Sequence, residues 1–474
     1  MAIKRYVASA DNTITNAFKA NLINRGTGSN MGAADVLEVF SIFGQADSGS
    51  LEKSRVLVQF PVTTLNTDIN NGTVPSNASY YLRLFNVPHG DTLPTNFTLE
   101  IKVVTGSSWD EGTGLDMSEY TDIGYSNWVS AKSSSSGITN WSSQGGDYYT
   151  SPIYTASFDS GVEDLEVDIT DTVNAWIAGT KPNYGLGIML SSSLENSNLR
   201  SYYTKRFSAR SSEYFFKRPI IEARWDSSRQ DDRGNFYLSS SAVSAADNLN
   251  TLYLYNYVRG QLKDINGIGT GNIYVNLYST LGSTAITTAP NTPITGGWLA
   301  TGIYTASVAV NTTSTTLYDV WFSGSTQYHT GTITAKSFAQ LEYNDTDRKI
   351  VSITNLKNSY TTSEYPKLRL YVRSKNWSPT IYTKAIADVE QEYIKNLYYR
   401  VYRVQDGLDV IANAATASTN HTKVSYDISG SYFPLDMSLF EPGYMYALKF
   451  IIKEENNYLK ELDEVFKFRV DQWA

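Results

Sequence analysis

The sequence predicts an all-β, modular chain: an N-terminal jelly-roll-like β-sandwich followed by two smaller Ig-like β-sandwich domains. Three observations carry this. Tyr (35) and Phe (18) are abundant while charged residues make up only 18%, a composition that suits pleated, half-buried surfaces. Short segments alternate apolar and polar residues with a period of two, separated by turn-forming stretches. Helical periodicity is clear at one place only. A chain of 474 residues is long enough for about three domains, each with its own core.

In chain order, Arg55–Pro61, Ser79–Phe85 and Thr98–Val104 read as strands of the first domain, 1–225, and three such segments within about 50 residues favour a sandwich. Ser133–Gly137 reads as a polar loop and Gly145-Gly146-Asp147 as a turn. Thr170 or Asp171 is placed to cap a short helix in which Val173, Trp176 and Ile177 fall at i, i+3, i+4 before Gly179 ends it. Tyr184–Leu190 and Arg218–Trp225 complete the domain as strands.

The stretch Asp226–Gly234 is charged, Ser-containing and free of apolar residues, so it is the candidate linker, and cleavage is expected near Arg229 or Arg233. A second domain, 235–343, follows with strands at Thr251–Tyr257, Ile273–Tyr278, Gly302–Val308 and Thr316–Trp321, fitting an Ig-like or prealbumin-like sandwich. A second boundary falls near Asn344-Asp345-Thr346-Asp347. The third domain, 348–474, carries strands at Leu368–Val372, Tyr398–Val404, Met445–Ile452 and Val465–Val470. Ile386, Val389, Tyr393 and Leu397 have helical spacing but suit an irregular strand equally.

Several function classes are disfavoured by composition. The formal net charge is −8 and no Lys/Arg block is present to neutralise a row of phosphates, so no nucleic acid partner is expected. No apolar run approaches the roughly 20 residues needed to span a bilayer, so no membrane insertion is expected. Met1-Ala2-Ile3-Lys4-Arg5 leads into polar residues rather than an apolar core, so no signal peptide is expected. The absence of Cys removes disulfides, thiolate metal sites and cysteine nucleophiles together.

The chemistry-bearing residues are sparse. His89, His329 and His421 fall in different predicted domains, which disfavours a triad or a multi-His metal site. No phosphate-cradling Gly-rich loop or nucleophile elbow occurs. Asp110-Glu111 beside Trp109 is the nearest approach to a carboxylate pair, but adjacent strand residues face opposite ways, so a turn suits it better. Asp168 and Asp171 are candidate Ca²⁺ oxygens, with helix capping the simpler account. No catalytic residue, metal or cofactor is therefore assigned. Trp109, Trp128 and Trp141 are candidates for glycan contact, because a flat indole matches the apolar face of a pyranose, although buried fold landmarks of this kind are common. The tyrosines of the later domains, Tyr253, Tyr255, Tyr257, Tyr398, Tyr399 and Tyr402, suit either half-buried strand faces or subunit contacts.

Ordered landmarks in the first 225 residues resemble the DNRLRE family of carbohydrate-binding-like jelly rolls. They run Ser54–Phe60, Tyr81–Leu84, Trp109–Gly112, Trp128, Trp141, Gly145–Asp147, Val167–Asp171, Trp176, Asn183, Gly185, Leu186, Phe207–Glu213 and Arg218-Pro219. The resemblance implies a sandwich found on surface proteins. Near the C terminus, Tyr426–Leu439 with Pro442-Gly443-Tyr444 and Phe466-Lys467-Phe468 resembles the ends of tailed-phage virion proteins. Together with the missing Cys and export signal, this gives the functional expectation: a non-enzymatic structural component of a tailed-phage virion, made in the host cytoplasm and released by lysis. It would assemble as a homo-oligomer or with other virion proteins. The alternative is a glycan-binding adhesin or receptor-binding protein that meets a host-surface glycan.

Overall fold

The computed structural model describes residues 2–19, 21–43, 51–90, 94–115, 125–134, 137–196, 201–337, 348–375, 391–454 and 456–472. The second predicted boundary, at 344–347, lies outside them, as do residues 135–136 of the polar loop and Ile386 and Val389. The chain is all-β, and it divides into two compact units, Ala2–Trp225 and Asp226–Ala474.

In the first unit, alternation places one side of each strand in a common core. A four-stranded sheet runs in the order Ile3–Val7, Ile220–Arg224, Ser79–Leu84, Leu165–Asp168. Facing it is a seven-stranded sheet: Ser201–Ser208, Val36–Phe43, Leu51–Gln59, Leu186–Leu190, Phe97–Val104 and Tyr148–Phe158, with Ala10–Thr15 also paired to Leu51–Gln59. Tyr80, Leu82 and Ile221 from the first sheet meet Val56, Val58, Ile101 and Ile188 from the second in one buried cluster, which makes the unit a two-sheet sandwich.

The expected helix spans Thr170–Ile177, but its cap differs from the expectation. Asp168 Oδ1 accepts from Thr170 N (2.9 Å) and Thr170 Oγ1 (2.6 Å), so a residue two positions before Thr170 holds the helix entrance, while the N-cap position is Ile169 and no side chain caps it. Val173 and Trp176 enter the sandwich core, and no acceptor meets Trp176 Nε1 among the described residues. Trp176→Ala is therefore expected to cost about 3 kcal/mol, the low end for a buried tryptophan, because truncation also removes an unsatisfied donor. Urea denaturation of the full chain measures this, and an unchanged midpoint would contradict the packing. A second helix, Val62–Asn70, has no counterpart in the sequence reading; Leu65 is its buried anchor.

Among the described residues the second unit contains three sheets of four strands or more. One eight-stranded sheet comprises Phe236–Tyr237, Thr326–Lys336, Thr316–Ser323, Ile273–Tyr278, Ile294–Ala300, Ile303–Val310 and Asn250–Tyr255 in order, with Thr288–Ala289 on Ile303–Val310. Its two ends meet: Asn250 Nδ2 donates to Tyr237 O and Asn250 Oδ1 accepts from Tyr237 N. Phe236, Leu252, Val275, Tyr304, Trp321 and Ile333 thus share one core inside a sheet curled on itself.

The other two sheets, one with Lys349–Ile353, Lys367–Ser374, Gly430–Pro434 and Ser425–Asp427 and one built around Leu397–Arg403, Met445–Lys453 and Phe466–Asp471, face each other. Tyr399 stacks on Phe433 at 4.4 Å between them. Leu397, one of four residues with helical spacing, begins a strand, and Tyr393 lies outside any helix or strand.

The stretch read as a linker is not a free one. Asp231 and Asp232 are buried. Arg229 N donates to Ser425 Oγ, Tyr426 N to Arg229 O and Asp231 N to Tyr426 O, so the segment runs beside Ser425–Asp427. The Tyr426 hydroxyl donates to Asp232 Oδ1 at 2.7 Å, and Thr251 N to Asp232 Oδ2 at 2.7 Å. The charges that suggested solvent exposure are instead internal hydrogen-bond partners, and Arg233 is not an open cleavage site.

Candidate functional site

Each strand of the seven-stranded sheet has two faces, and only one belongs to the sandwich core. Alternation sends Val56 and Val58 inward and Arg55 and Leu57 to the opposite face. Register then fixes who sits beside whom there: Gly187 lies opposite both Leu57 and Lys102, Glu100 opposite Met189 and Thr155, and Lys102 opposite Ile153.

Part of this second face is roofed. Trp109, Trp128 and Trp141 pack with Ile14, Leu57, Val104 and Ala131 into a satellite core, where they are 5%, 5% and 6% exposed. Trp109 Nε1 donates to Tyr184 O (2.8 Å) and Trp141 Nε1 to Asn127 O (2.9 Å). With ring faces covered and both of these donors satisfied within the chain, none of the three indoles offers a platform to a sugar. The glycan contact expected of Trp109, Trp128 and Trp141 is therefore not supported; burial under the roof is the reason they stand as landmarks.

The unroofed part is a cavity of about 340 Å³ lined by Arg55, Glu100, Lys102, Tyr149, Glu195 and Asn196 among others. Arg55 forms a two-pronged pair with Glu195 (Nε–Oε1 2.9 Å, Nη2–Oε2 2.7 Å) and donates through Nη1 to Gly145 O. Its guanidinium lies 5.3 Å from the Trp128 ring and 5.7 Å from the Tyr148 ring, so the roof and the cavity share a wall. Two glycines allow this. Tyr148 lies over Gly187, where a Cβ would meet its Cε1 at 2.1 Å, and at Gly145 (φ +89°) a Cβ would strike Trp128 and Arg55 at 2.9 Å. Burial pushes the Tyr148 phenol up to about 12, so it is neutral at physiological pH. On the floor Lys102 Nζ pairs with Glu100 Oε2 at 2.7 Å. At the rim, Asn196 Oδ1 accepts from Lys53 Nζ and Lys181 Nζ sits 4.7 Å over the Tyr149 ring.

Glu100 and Lys102 lie in a strand that the sequence pattern identifies, and their alternation with Leu99, Ile101 and Val103 puts them on one face. Glu195 carries no comparable signal, because its partner is 140 residues away.

The other candidate chemistry is absorbed into structure. Glu111 pairs with Arg210 at 2.7 Å and accepts from Asp11 N. Burial, with the nearby Glu111 charge adding to it, pushes the Asp11 carboxyl up to about 7, but Asp11 is wholly buried and meets only protein. His421 is buried with Nδ1 2.8 Å from Thr419 Oγ1. Burial lowers the His329 imidazole from its usual value. Among the described residues no group of three or more His, Asp or Glu is placed to hold a metal ion, and no helix is long and apolar enough to cross a membrane. Of the tyrosines, Tyr398 and Tyr399 are core residues, whereas Tyr257 remains exposed.

No family model and no curated protein matches the chain. Among solved structures it is similar to the Yersinia pseudotuberculosis adhesin InvE, at 15% identity and TM-score 0.15, covering 49% of this chain and 56% of that one. It is similar to tandem Ig repeats of Dlar at 9% identity and TM-score 0.15, covering 52% and 95%. A Ca²⁺-stabilised adhesin with which an Antarctic bacterium binds ice matches at 10% identity and TM-score 0.15, covering 98% and 100%. At these scores the likenesses add nothing to the β architecture already described.

Proposed function

We propose that the chain is a non-enzymatic structural component of a tailed-phage virion, displayed at the particle surface and assembled with its own copies or with other virion proteins. The observation that carries this reading is the fate of the ionisable residues. Glu222 is spent on Arg5, Arg83 and Arg224, Arg233 on Asp231 and Asp319, and Lys205 on Asn86 Oδ1, Gly161 O and Glu163 O. These groups are engaged inside the fold and are not presented to a substrate. Within Tyr426–Leu439, Tyr426 and Phe433 are fully buried and the Tyr426 hydroxyl donates to Asp232, so this segment serves the core of its own unit. A stable assembly would bury at least roughly 1,000 Å² per interface.

Mass spectrometry of purified particles, with light scattering on the isolated protein, tests the reading. Stoichiometric presence in particles supports it. A strictly monomeric protein that is absent from particles and hydrolyses a polysaccharide would overturn it. The alternative, a glycan-binding adhesin or receptor-binding protein, is favoured by one observation, the open cavity on the second face of the seven-stranded sheet.

A further inference from the structure

We propose that Lys205 and Asn86 are joined by an isopeptide bond that the folded chain forms on itself, linking the two sheets of the first sandwich covalently. The proposal is independent of whether the chain is carried on a particle.

Backbone pairing brings the two residues together. Lys205 lies in Ser201–Ser208, an edge strand of the seven-stranded sheet, and Asn86 follows Ser79–Leu84 of the four-stranded sheet, 119 residues away in sequence. Val87 N donates to Arg206 O (3.1 Å) and Ser208 N to Phe85 O (3.0 Å), so the two segments are fixed against each other by main chain alone. Lys205 is 1% exposed. Its Nζ lies 2.7 Å from Asn86 Oδ1, 2.8 Å from Gly161 O and 2.7 Å from Glu163 O. A carbonyl bond is about 1.23 Å long, which puts Nζ at most about 3.9 Å from Asn86 Cγ, close to the roughly 3–3.5 Å of atoms held for attack.

The setting favours a nucleophilic amine. Nζ sits 4.9 Å from the Phe158 ring centroid and 5.3 Å from that of Phe207, both rings of the sandwich core. Burial outweighs the Glu163 and Asp164 charges and lowers the Lys205 ammonium to about 8, so a share of it is neutral amine at physiological pH. The ammonium has three N–H groups for the three oxygens. Once it has lost a proton, the two backbone carbonyls hold the remaining N–H groups, and the lone pair takes the third direction, toward the Asn86 carboxamide.

The step balances without an oxidant or a cofactor. Nζ attacks Cγ, the Nζ–Cγ bond forms, and the tetrahedral adduct expels Nδ2 as the Cγ–Nδ2 bond breaks. The proton that Nζ sheds passes to Nδ2, and the chain loses one ammonia. Glu163 Oε2 is buried and accepts no hydrogen bond among the described residues, and the Glu163 charge acts on Lys205, so this oxygen is the acceptor that carries the proton. Ser160 N and Oγ fix the other oxygen, each at 2.7 Å, and Asp164 Oδ1 holds Asn86 N at 2.7 Å. Asn86 is half-buried, which leaves the ammonia a path to solvent. A single intramolecular step turns over no substrate, so it is compatible with a non-enzymatic protein.

Intact-mass spectrometry of the full chain, held at about pH 8 where about half of Lys205 is neutral, reads the reaction. The wild type is expected to be one ammonia lighter than its sequence, and a tryptic digest should yield Leu84–Lys102 joined to Ser201–Arg206 as one branched peptide. Lys205→Arg and Asn86→Ala should each keep the full sequence mass and run more slowly than the wild type on a denaturing gel, because they lack the closed loop. The wild-type mass and branched peptide decide the matter even if a variant does not fold. A wild-type chain at its full sequence mass, with Leu84–Lys102 recovered unlinked, overturns the proposal. So does an ammonia loss that survives in Lys205→Arg, which would assign it to ring closure at an asparagine.

Discussion

Arg233→Ala is expected to lower the stability of the Asp226–Ala474 unit by about 5 kcal/mol, the upper end of what breaking a buried ion pair costs. The Arg233 guanidinium joins parts of the unit that are distant in sequence. It donates to Asp319 Oδ2 (Nη2 2.6 Å, Nε 3.2 Å), to Asp231 Oδ2 (2.7 Å) and to Tyr253 O. Its side chain is 10% exposed and that of Asp319 0%, so solvent does not replace the lost contacts. Trp321 Nε1 also donates to Asp319 Oδ2, and Gly331 is required opposite because a Cβ there would meet Asp319 Oδ1 at 2.4 Å. Arg233→Lys should recover only part of the loss, since an ammonium cannot span both carboxylates with a planar fork. Urea denaturation of the full chain, followed by Trp fluorescence, reads the effect. A midpoint for Arg233→Ala equal to wild type would sink the argument and restore the segment as an ordinary linker.

One guanidinium shared between two buried carboxylates has a pH signature. Burial outweighs the Arg233 charge at Asp231 and pushes its carboxyl up to about 6, from an ordinary value of 3.8. Asp11, in the other unit, is pushed up to about 7. A carboxyl raised on folding holds a proton that the unfolded chain has released, so the contribution of these two groups to stability falls as pH rises from about 4 to about 7. Asp11→Asn should flatten its share of this slope. An Asp11→Asn variant with the wild-type slope across that window would contradict the assignment.

The strands were legible because alternation is a local signal. Thr98–Val104, Ile273–Tyr278 and Thr316–Trp321 were each expected within two residues of where they lie. The helix Val62–Asn70 was not, although Val62, Leu65 and Ile69 have helical spacing. Thr63, Thr64, Asn66 and Thr67 are poor helix formers, and no side chain caps its N terminus. The Asp226–Gly234 stretch was misread for a different reason. Composition alone separates polar from apolar, but it cannot show that Arg233 meets Asp319 86 residues on, or that Asp232 meets Tyr426 194 residues on. The tryptophans failed for a third reason. Period-two patterning says that Leu57 and Arg55 share a face but not that Trp109, Trp128 and Trp141 pack over Leu57 on it. Glu100 and Lys102 were readable as neighbours, whereas their setting beside Arg55 and Glu195 depends on register across four segments.

The same long-range pairing governs the first unit, where Glu222→Gln is expected to cost about 5 kcal/mol at neutral pH. Glu222 lies at the centre of the four-stranded sheet, on the face away from the core, where its neighbours Ile221 and Ala223 point inward. It is 2% exposed and meets three arginines: Arg5 Nε at 3.3 Å, Arg83 Nη1 at 3.1 Å and Arg224 Nη2 at 3.0 Å. The cluster holds a second anion, Glu166, which pairs with Arg224 at 2.7 Å and Arg83 at 3.2 Å. Removing the Glu222 charge leaves three guanidinia and one half-exposed carboxylate. Glutamine keeps the shape and part of the hydrogen bonding, so the loss isolates charge from packing. The three arginine charges outweigh burial and hold the Glu222 carboxyl far below its ordinary 4.5. A carboxyl depressed on folding stabilises above its unfolded value and loses that contribution as pH falls through the folded one. The difference between wild type and Glu222→Gln should therefore be full above about pH 5 and shrink in acid. The pair is buried, so 1 M NaCl should change that difference little. A Glu222→Gln variant within about 1 kcal/mol of wild type at pH 7, or a difference abolished by salt, would show the cluster to be solvated and the sheet to be held by its core alone.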